Sequence, residues 1–163
     1  MTTPSSQILA SLDDINAELP SDPPPDGVAA VVAATEDNTD LLQISVARIV
    51  RGYLSNTISR ELLMSWSSPD ATPETVRVIA GKLIASQLYF NQTAKTSLII
   101  DPDSFAQKRY DEAMALLNQI VAGTIIIDDP GTGEEINTSG ELSDLDFFPV
   151  DDADRAFTLG MQL

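Results

Sequence analysis

The chain has 163 residues, 43% of them hydrophobic, which is enough for one domain with a real core. It has no cysteine and no histidine, so disulfides, thiol nucleophiles, Cys/His zinc sites and a histidine-based triad are excluded. The net charge of −16 gathers at two ends: residues 1–40 hold eight acids and no base, residues 41–127 seven acids and eight bases, and residues 128–163 ten acids and one base, Arg155. Ends of this kind repel nucleic-acid phosphates and anionic membrane surfaces.

The N-terminal residues, from Met1 to Gln7, show neither a basic residue nor a following apolar run, so no secretory leader is expected. The longest apolar runs, such as Val28 to Ala34, are too short to span a bilayer.

From Ser11 to Leu19 the pattern predicts a short helix. Ser11 can cap it, Asp13 and Asp14 suit its first turn, and Leu12, Ile15 and Leu19 recur on one face. Pro20 ends it, and the run from Ser21 to Gly27 is a stiff linker containing three consecutive prolines. Val28 to Ala34 fits strand or helix equally, since a short apolar run has no decisive period.

Asp37, Asn38 or Thr39 can open a helix to about Leu54, with Leu42, Val46, Ile49 and Tyr53 on one stripe and Arg48 and Arg51 on another. A shorter helix starts at Thr57 or Ser59 and runs through Leu62, Leu63 and Met64 to Trp66, followed by a turn at Ser67 to Asp70.

Thr72-Pro73-Glu74 is a strong helix start: a capping hydroxyl, proline at the first helical position and an acid in the first turn. That helix should reach about Gln92 and bury Val76, Ile79, Leu83 and Phe90. Gly81 inside it costs roughly 1 kcal/mol against alanine, which suggests a close helix contact. Asp101-Pro102, or Ser104 with Gln107 as a capping box, opens the last long helix, whose stripe is Tyr110, Ala113, Leu117 and Ile120 and whose natural terminator is Gly123.

Thr124 to Ile127 is β-branched and reads as a strand. Asp128 to Gly133 is turn-rich, and Glu134 to Ile136 can return as a hairpin. The long helices should therefore span about 39–54, 73–92 and 104–121. The fold class is mainly α: a small helical bundle with a short C-terminal β-hairpin or strand and extended terminal arms. Its divisions are an N-terminal helix and Pro-rich arm (1–36), a helical bundle core (37–123), a strand or hairpin (124–136) and an acidic C-terminal docking arm (137–163).

Catalytic and ligand motifs are sparse. Gly131-Thr132-Gly133 lacks the Lys-Ser/Thr of a phosphate loop and reads as a turn. Asp101/Asp103, Asp144/Asp146 and the group Asp151, Asp152 and Asp154 do not follow the calcium-loop spacing. Trp66 and Tyr89 have rings that could stack a base, but their apolar helical neighbours point to the core. No motif singles out a carboxylate pair for acid–base work. No catalytic, cofactor or metal site is expected, and the protein is read as a non-enzyme.

Three stretches resemble the head–tail connector (head-to-tail adaptor, or head completion) proteins of tailed bacteriophages. One is Asp40-Leu41-Leu42-Gln43 through Arg48 to Leu54. A second is Ser65 to Arg77, followed by Ala80, Leu83, Ala85 and Tyr89. The third is Tyr110 to Ala113 through Leu117, Ile120, Gly123 and Ile125 to Ile127. The resemblance covers roughly residues 8–127 and lies chiefly in the order of the motifs; Trp66, Pro73, Leu83, Tyr89, Tyr110, Leu117 and Gly123 are its core positions.

The resemblance implies a helical bundle assembled as a ring, usually twelve-fold, beneath the portal of the capsid. Such a ring extends the DNA channel without reading sequence and docks the next connector or the tail. Its place would be the capsid–tail junction of the virion, after assembly in the bacterial cytoplasm. Residues 128–163 lie outside the resemblance.

The C-terminal arm keeps Phe147, Phe148, Val150, Phe157, Leu159, Met161 and Leu163 without a helical or alternating period. Apolar anchors along an acidic strand are the pattern of a segment that orders against a partner, here an adjacent subunit or the portal. The alternative is an acidic protein-binding or DNA-mimic regulatory module.

Overall fold

The computed structural model describes residues 8–21, 33–96 and 103–136. Among the described residues there are five α-helices, one 3-10 turn and a two-stranded antiparallel sheet: α1 (Leu12–Glu18), α2 (Glu36–Leu54), α3 (Arg60–Ser65), the 3-10 turn Pro69–Ala71, α4 (Glu74–Thr96), α5 (Phe105–Val121), β1 (Ile127–Asp128) and β2 (Glu135–Ile136). The chain is a mainly helical bundle with a short C-terminal hairpin, as the sequence predicts.

The helix ends follow local chemistry. Ser11 caps α1 in a reciprocal box: the Asp14 N–H donates to Ser11 Oγ at 3.1 Å, and the Ser11 N–H donates to Asp14 Oδ2 at 2.8 Å. Ser59 and Ser104 cap α3 and α5 by accepting from the N–H groups of Leu62 and Gln107. Gln107 does not return the favour; its amide donates to Asp111.

Gly123, at φ 70°, ends α5 in a Schellman turn, with Thr124 N–H donating to Gln119 O at 2.8 Å and Gly123 N–H to Ile120 O at 2.9 Å. Helix α2 starts one turn earlier than Asp37 to Thr39 suggest, because Thr35 is the cap and Asn38 reaches back to accept from its N–H at 2.9 Å. At α4 the Pro73 carbonyl receives the first helical bond, from Arg77, while the Thr72 hydroxyl donates to Ser68 O at 2.7 Å and ties the helix start to the 3-10 turn.

Helix α4 is the common partner: α1, α2 and α5 all pack on it. Val76, Ile79, Leu83, Ile84 and Tyr89 bring its buried face into one cluster with Leu9, Ile15, Val46, Val50, Leu54, Trp66, Ala113, Leu117 and Ile120. The core therefore draws on α1, N-terminal to the expected bundle boundary at residue 37. Ile127 and Ile136 pair across the hairpin and turn their side chains into the same cluster. The turn is closed by Asp129, whose carboxylate accepts from the Gly131 N–H at 2.7 Å, and by Gly133 at φ 69°. The β-ladder is only two residues per strand, so Thr124 to Ile126 are not part of it.

Two predicted stripes are corrected. In α2 the buried line is Thr39, Gln43, Val46, Ala47, Val50 and Leu54, and Ile49 is 45% exposed. Polar residues occupy two core positions because the backbone satisfies them: Thr39 Oγ1 donates to Thr35 O and the Gln43 amide to Ala10 O at 3.2 Å. Counting apolar residues alone therefore rotates the inferred face. In α5 the line is Ala106, Ala113, Leu117 and Ile120, while Tyr110 is 40% exposed. At roughly 100° per residue Tyr110 falls about 40° from Ala106, at the edge of the stripe, and the small alanine is the side chain that enters the core.

Gly81 has the predicted close contact. A Cβ built there would meet the Asp14 carbonyl oxygen of α1 at 3.0 Å and Glu18 Cγ at 3.5 Å. One residue on, Lys82 Nζ binds Glu18 at 3.0 Å and Glu112 at 2.9 Å, and Arg109 binds Glu112 at 2.9 Å and Glu18 at 3.4 Å. Two cations and two carboxylates thus alternate in a square joining α1, α4 and α5.

Two outcomes are expected. Gly81→Leu should lower the urea-unfolding free energy by about 1–3 kcal/mol, the range for overpacking a tight contact; an unchanged midpoint would mean that α1 does not rest on Gly81. The Glu112 carboxyl is held below its ordinary value of 4.5, first by the Lys82 hydrogen bond and with help from Arg109, against the opposing effect of partial burial. A depressed folded-state value gives stability that is complete above the unfolded value and lost as pH falls through the folded one. Glu112→Gln should therefore cost under about 1 kcal/mol near neutral pH, since the carboxylate is half exposed, and less at pH 3. Equal losses at both pH values would exclude the ionic contribution.

Candidate functional site

The positions expected to form a core motif do not converge on a surface site. Trp66, Leu83, Tyr89 and Leu117 are interior, each at most 2% exposed, and Pro73 is buried at the α4 start. Tyr89 meets Phe105 edge-on at 4.8 Å, and the Arg109 guanidinium lies 5.3 Å from the same Phe105 ring. Neither Trp66 nor Tyr89 can stack a ligand base without opening the bundle. Tyr110 lies outside the core, and Gly123 terminates a helix at the surface. The residues expected to bind a partner, Phe147, Phe148, Val150, Phe157, Leu159, Met161 and Leu163, lie outside the described residues.

Gly131-Thr132-Gly133 forms part of the hairpin turn. Among the described residues no group of three or more acidic, histidine or cysteine side chains is arranged to hold a metal ion. No helix among them is long and apolar enough to cross a membrane.

The surface offers grooves with one electrostatic character. The largest of three, about 730 Å³, lies between the start of α1 and the first half of α2, beside Pro69. Ile8, Leu12, Leu41 and Ile44 give it an apolar lining; the exposed Asp13, Glu36 and Asp40 line it too, and among the described residues no lysine or arginine does. A second, about 300 Å³, lies between α3 and the hairpin and presents Asp129, Glu134 and Glu135 beside Ile58, Leu62 and Ile136. The third, about 410 Å³, sets Asp70, Glu74 and Asp128 against the single cation Arg77. An excess of carboxylates over cations is common to all three.

Cations that could offset this acidity are engaged elsewhere. Arg51, its pKa lowered by burial, donates from Nε to Leu63 O at 3.2 Å and from its terminal nitrogen to Trp66 O, closing the C-terminal end of α3. Lys82 and Arg109 belong to the ionic square. Arg48, Arg60 and Lys108 are exposed, and none of them lines the three grooves.

Leu41 is the sharpest feature of the α1–α2 groove, at 82% exposed. Sequence periodicity assigns only Leu42 to the core, yet the pair itself carried a signal: adjacent helical residues point about 100° apart, so Leu41 and Leu42 cannot both face one narrow core. The ionic square left no comparable signal, because Glu18, Lys82 and Arg109 are far apart in the chain.

No protein-family model, curated protein or solved structure matches this chain.

A leucine that serves a partner contributes little to its own fold. Leu41→Gln keeps a good helix former and should leave the urea midpoint unchanged within about 0.5 kcal/mol. A loss above about 2 kcal/mol would instead place Leu41 in the core.

Proposed function

We propose that this chain is a structural protein of a tailed-phage virion: a head–tail adaptor that forms a ring, twelve-fold in the usual form of the family it resembles, beneath the portal. In this reading it extends the DNA channel and docks the next connector or the tail. The observation that carries the proposal is the order of the three resembling stretches together with the elements they occupy. Asp40 to Leu54 is most of α2; Ser65 to Tyr89 is the end of α3, the 3-10 turn and the body of α4; Tyr110 to Ile127 is α5, its glycine stop and the entry to the hairpin. Each stretch falls on the larger part of one long helix of the bundle.

Charge supports the same reading. A channel that passes DNA without holding it needs an acidic or neutral wall. Of Arg48, Arg51, Arg77 and Lys82, the cations that would make a wall adhesive, Arg51 is bound to backbone carbonyls and Lys82 to two carboxylates. Arg77 stands among Asp70, Glu74 and Asp128, and Arg48 is exposed and must face away from the channel in this reading.

The C-terminal arm, residues 137–163, carries Asp144, Asp146, Asp151, Asp152 and Asp154 among its apolar anchors. It requires a receptor with basic residues beside apolar pockets. The three grooves described on this chain have the opposite charge, which favours the portal over a neighbouring copy as the arm's partner. A second reading, an acidic module that binds a basic protein, is favoured by the acidic α1–α2 groove. The two differ in assembly, since the adaptor forms rings and the module does not.

The test pairs electron microscopy of the purified full chain with truncation after Asn137. Rings, and a soluble helical truncated protein that fails to join capsids, are the expected results. A monomer that binds no portal would overturn the adaptor reading. Unfolding of the truncated subunit would place the arm in its own subunit's core and remove the docking role.

A further inference from the structure

We propose that the groove between α1 and α2 is a docking site for a cationic amphipathic helix supplied by another protein. The proposal goes beyond the adaptor reading and does not rest on it, because it concerns a surface of the single subunit.

The groove combines two features that select its occupant. Its lining is aliphatic, and Leu41 is left 82% exposed on a helix whose opposite face is fully packed. A leucine this open in an apolar groove is the usual anchor point for an incoming apolar side chain. Both walls carry acids, with Asp13 on α1 and Glu36 and Asp40 on α2, and among the described residues no lysine or arginine lines the groove. An apolar stripe flanked by lysine or arginine matches both features at once. Walls formed by two helices suit a third helix, which presents side chains at i, i+3 and i+4 to the lining and its flanking charges to the acids.

The chain's own segments fit less well. The C-terminal arm repeats the charge of these acids, with six acids to one base over residues 137–163. The first 40 residues contain no lysine or arginine at all, so neither residues 1–7 nor the Pro-rich linker can neutralise the acids of the groove. A second copy could offer Arg48 beside Ile49, or Arg60 one turn from Met64, but each is a single cation with one exposed apolar neighbour, a small complement to three carboxylates.

The groove is also built to hold its shape. Gln43 donates to Ala10 O at 3.2 Å, and Asn16 accepts from the Ala34 N–H at 2.9 Å, so the α1 segment is tied to α2 and to the residues just before it. A preformed groove loses less ordering entropy on binding.

The probe is a synthetic 18-residue helix of leucine and lysine patterned to give one apolar face, compared with a scrambled peptide of the same composition that has none. Binding to the full chain is followed by fluorescence anisotropy, and its location by amide shifts in the labelled protein. The patterned peptide should bind and shift Leu12, Leu41 and Ile44. Leu41→Gln should weaken it at least about tenfold, as expected for loss of a buried leucine contact, and Asp40→Lys by a similar ratio, while the distant exposed Glu61→Gln should change it less than about twofold.

Equal binding of the scrambled peptide, or no effect of Leu41→Gln, would show attraction by overall acidity alone and overturn the site. Light scattering and the peptide-free spectra test the other occupants. A fall in mass on Leu41→Gln would assign the groove to a second copy. Shifts of Val28 to Val32 on the same substitution, with no peptide binding, would assign it to the chain itself. Either result overturns the proposal.

Discussion

The bundle depends on the closeness of α1 to α4. A seven-residue helix has no stability of its own, since nucleation alone outweighs the few hydrogen bonds it completes. It persists because Gly81 removes the one side chain that would stand between the two backbones. Glu18 then comes within reach of Lys82 and Arg109, and Leu9, Ala10 and Ile15 close over the end of the core. The same approach positions Leu12 and Asp13 as a groove wall. A packing constraint at one glycine is thus upstream of the surface that carries the docking chemistry.

Counting charges along the chain understates how acidic the exterior is. Residues 41–127 are nearly neutral by composition, yet Arg51, Lys82 and Arg109 are all bound inward, to carbonyls or to carboxylates. The ionic square neutralises itself, and Asp13 of α1, Glu36 and Asp40 of the α2 start and Glu134 and Glu135 of the hairpin have no such partners among the ion pairs of the described residues. Half-buried squares of this kind act chiefly to set geometry, because desolvation offsets much of the attraction. Their consequence for function is indirect: the cations they occupy are unavailable to phosphate, and the grooves keep their negative character.

An acidic arm and an acidic groove on one chain are also mutually exclusive as partners. Both demand basic surfaces elsewhere. Under the proposals above, that requirement suits a protein placed between two others better than one that closes only on itself, and it holds for a ring-forming adaptor and for an acidic module alike. Specificity would come from the apolar parts, Leu41 in the groove and the phenylalanines of the arm, with charge setting orientation and rate of encounter.

What the sequence by itself determined was local. Ser11, Ser59, Ser104 and Gly123 start and stop helices through bonds to residues three or four positions away, so α1, α3, α5 and the hairpin after it were legible from neighbouring letters. Gly81 was legible as an anomaly, a costly residue inside a good helix that marks a close contact, although its partner, α1, was not. Tertiary structure decided what depends on distant residues: that Thr39 and Gln43 are interior because Thr35 and Ala10 supply acceptors, that Ile49 and Tyr110 stay outside, that Lys82 meets Glu18, and that Leu41 is exposed. Helix ends are fixed by bonds within one turn, which a linear pattern records. The buried face and the fate of each charge are fixed by which helix lies opposite, and that depends on the packing of the whole chain.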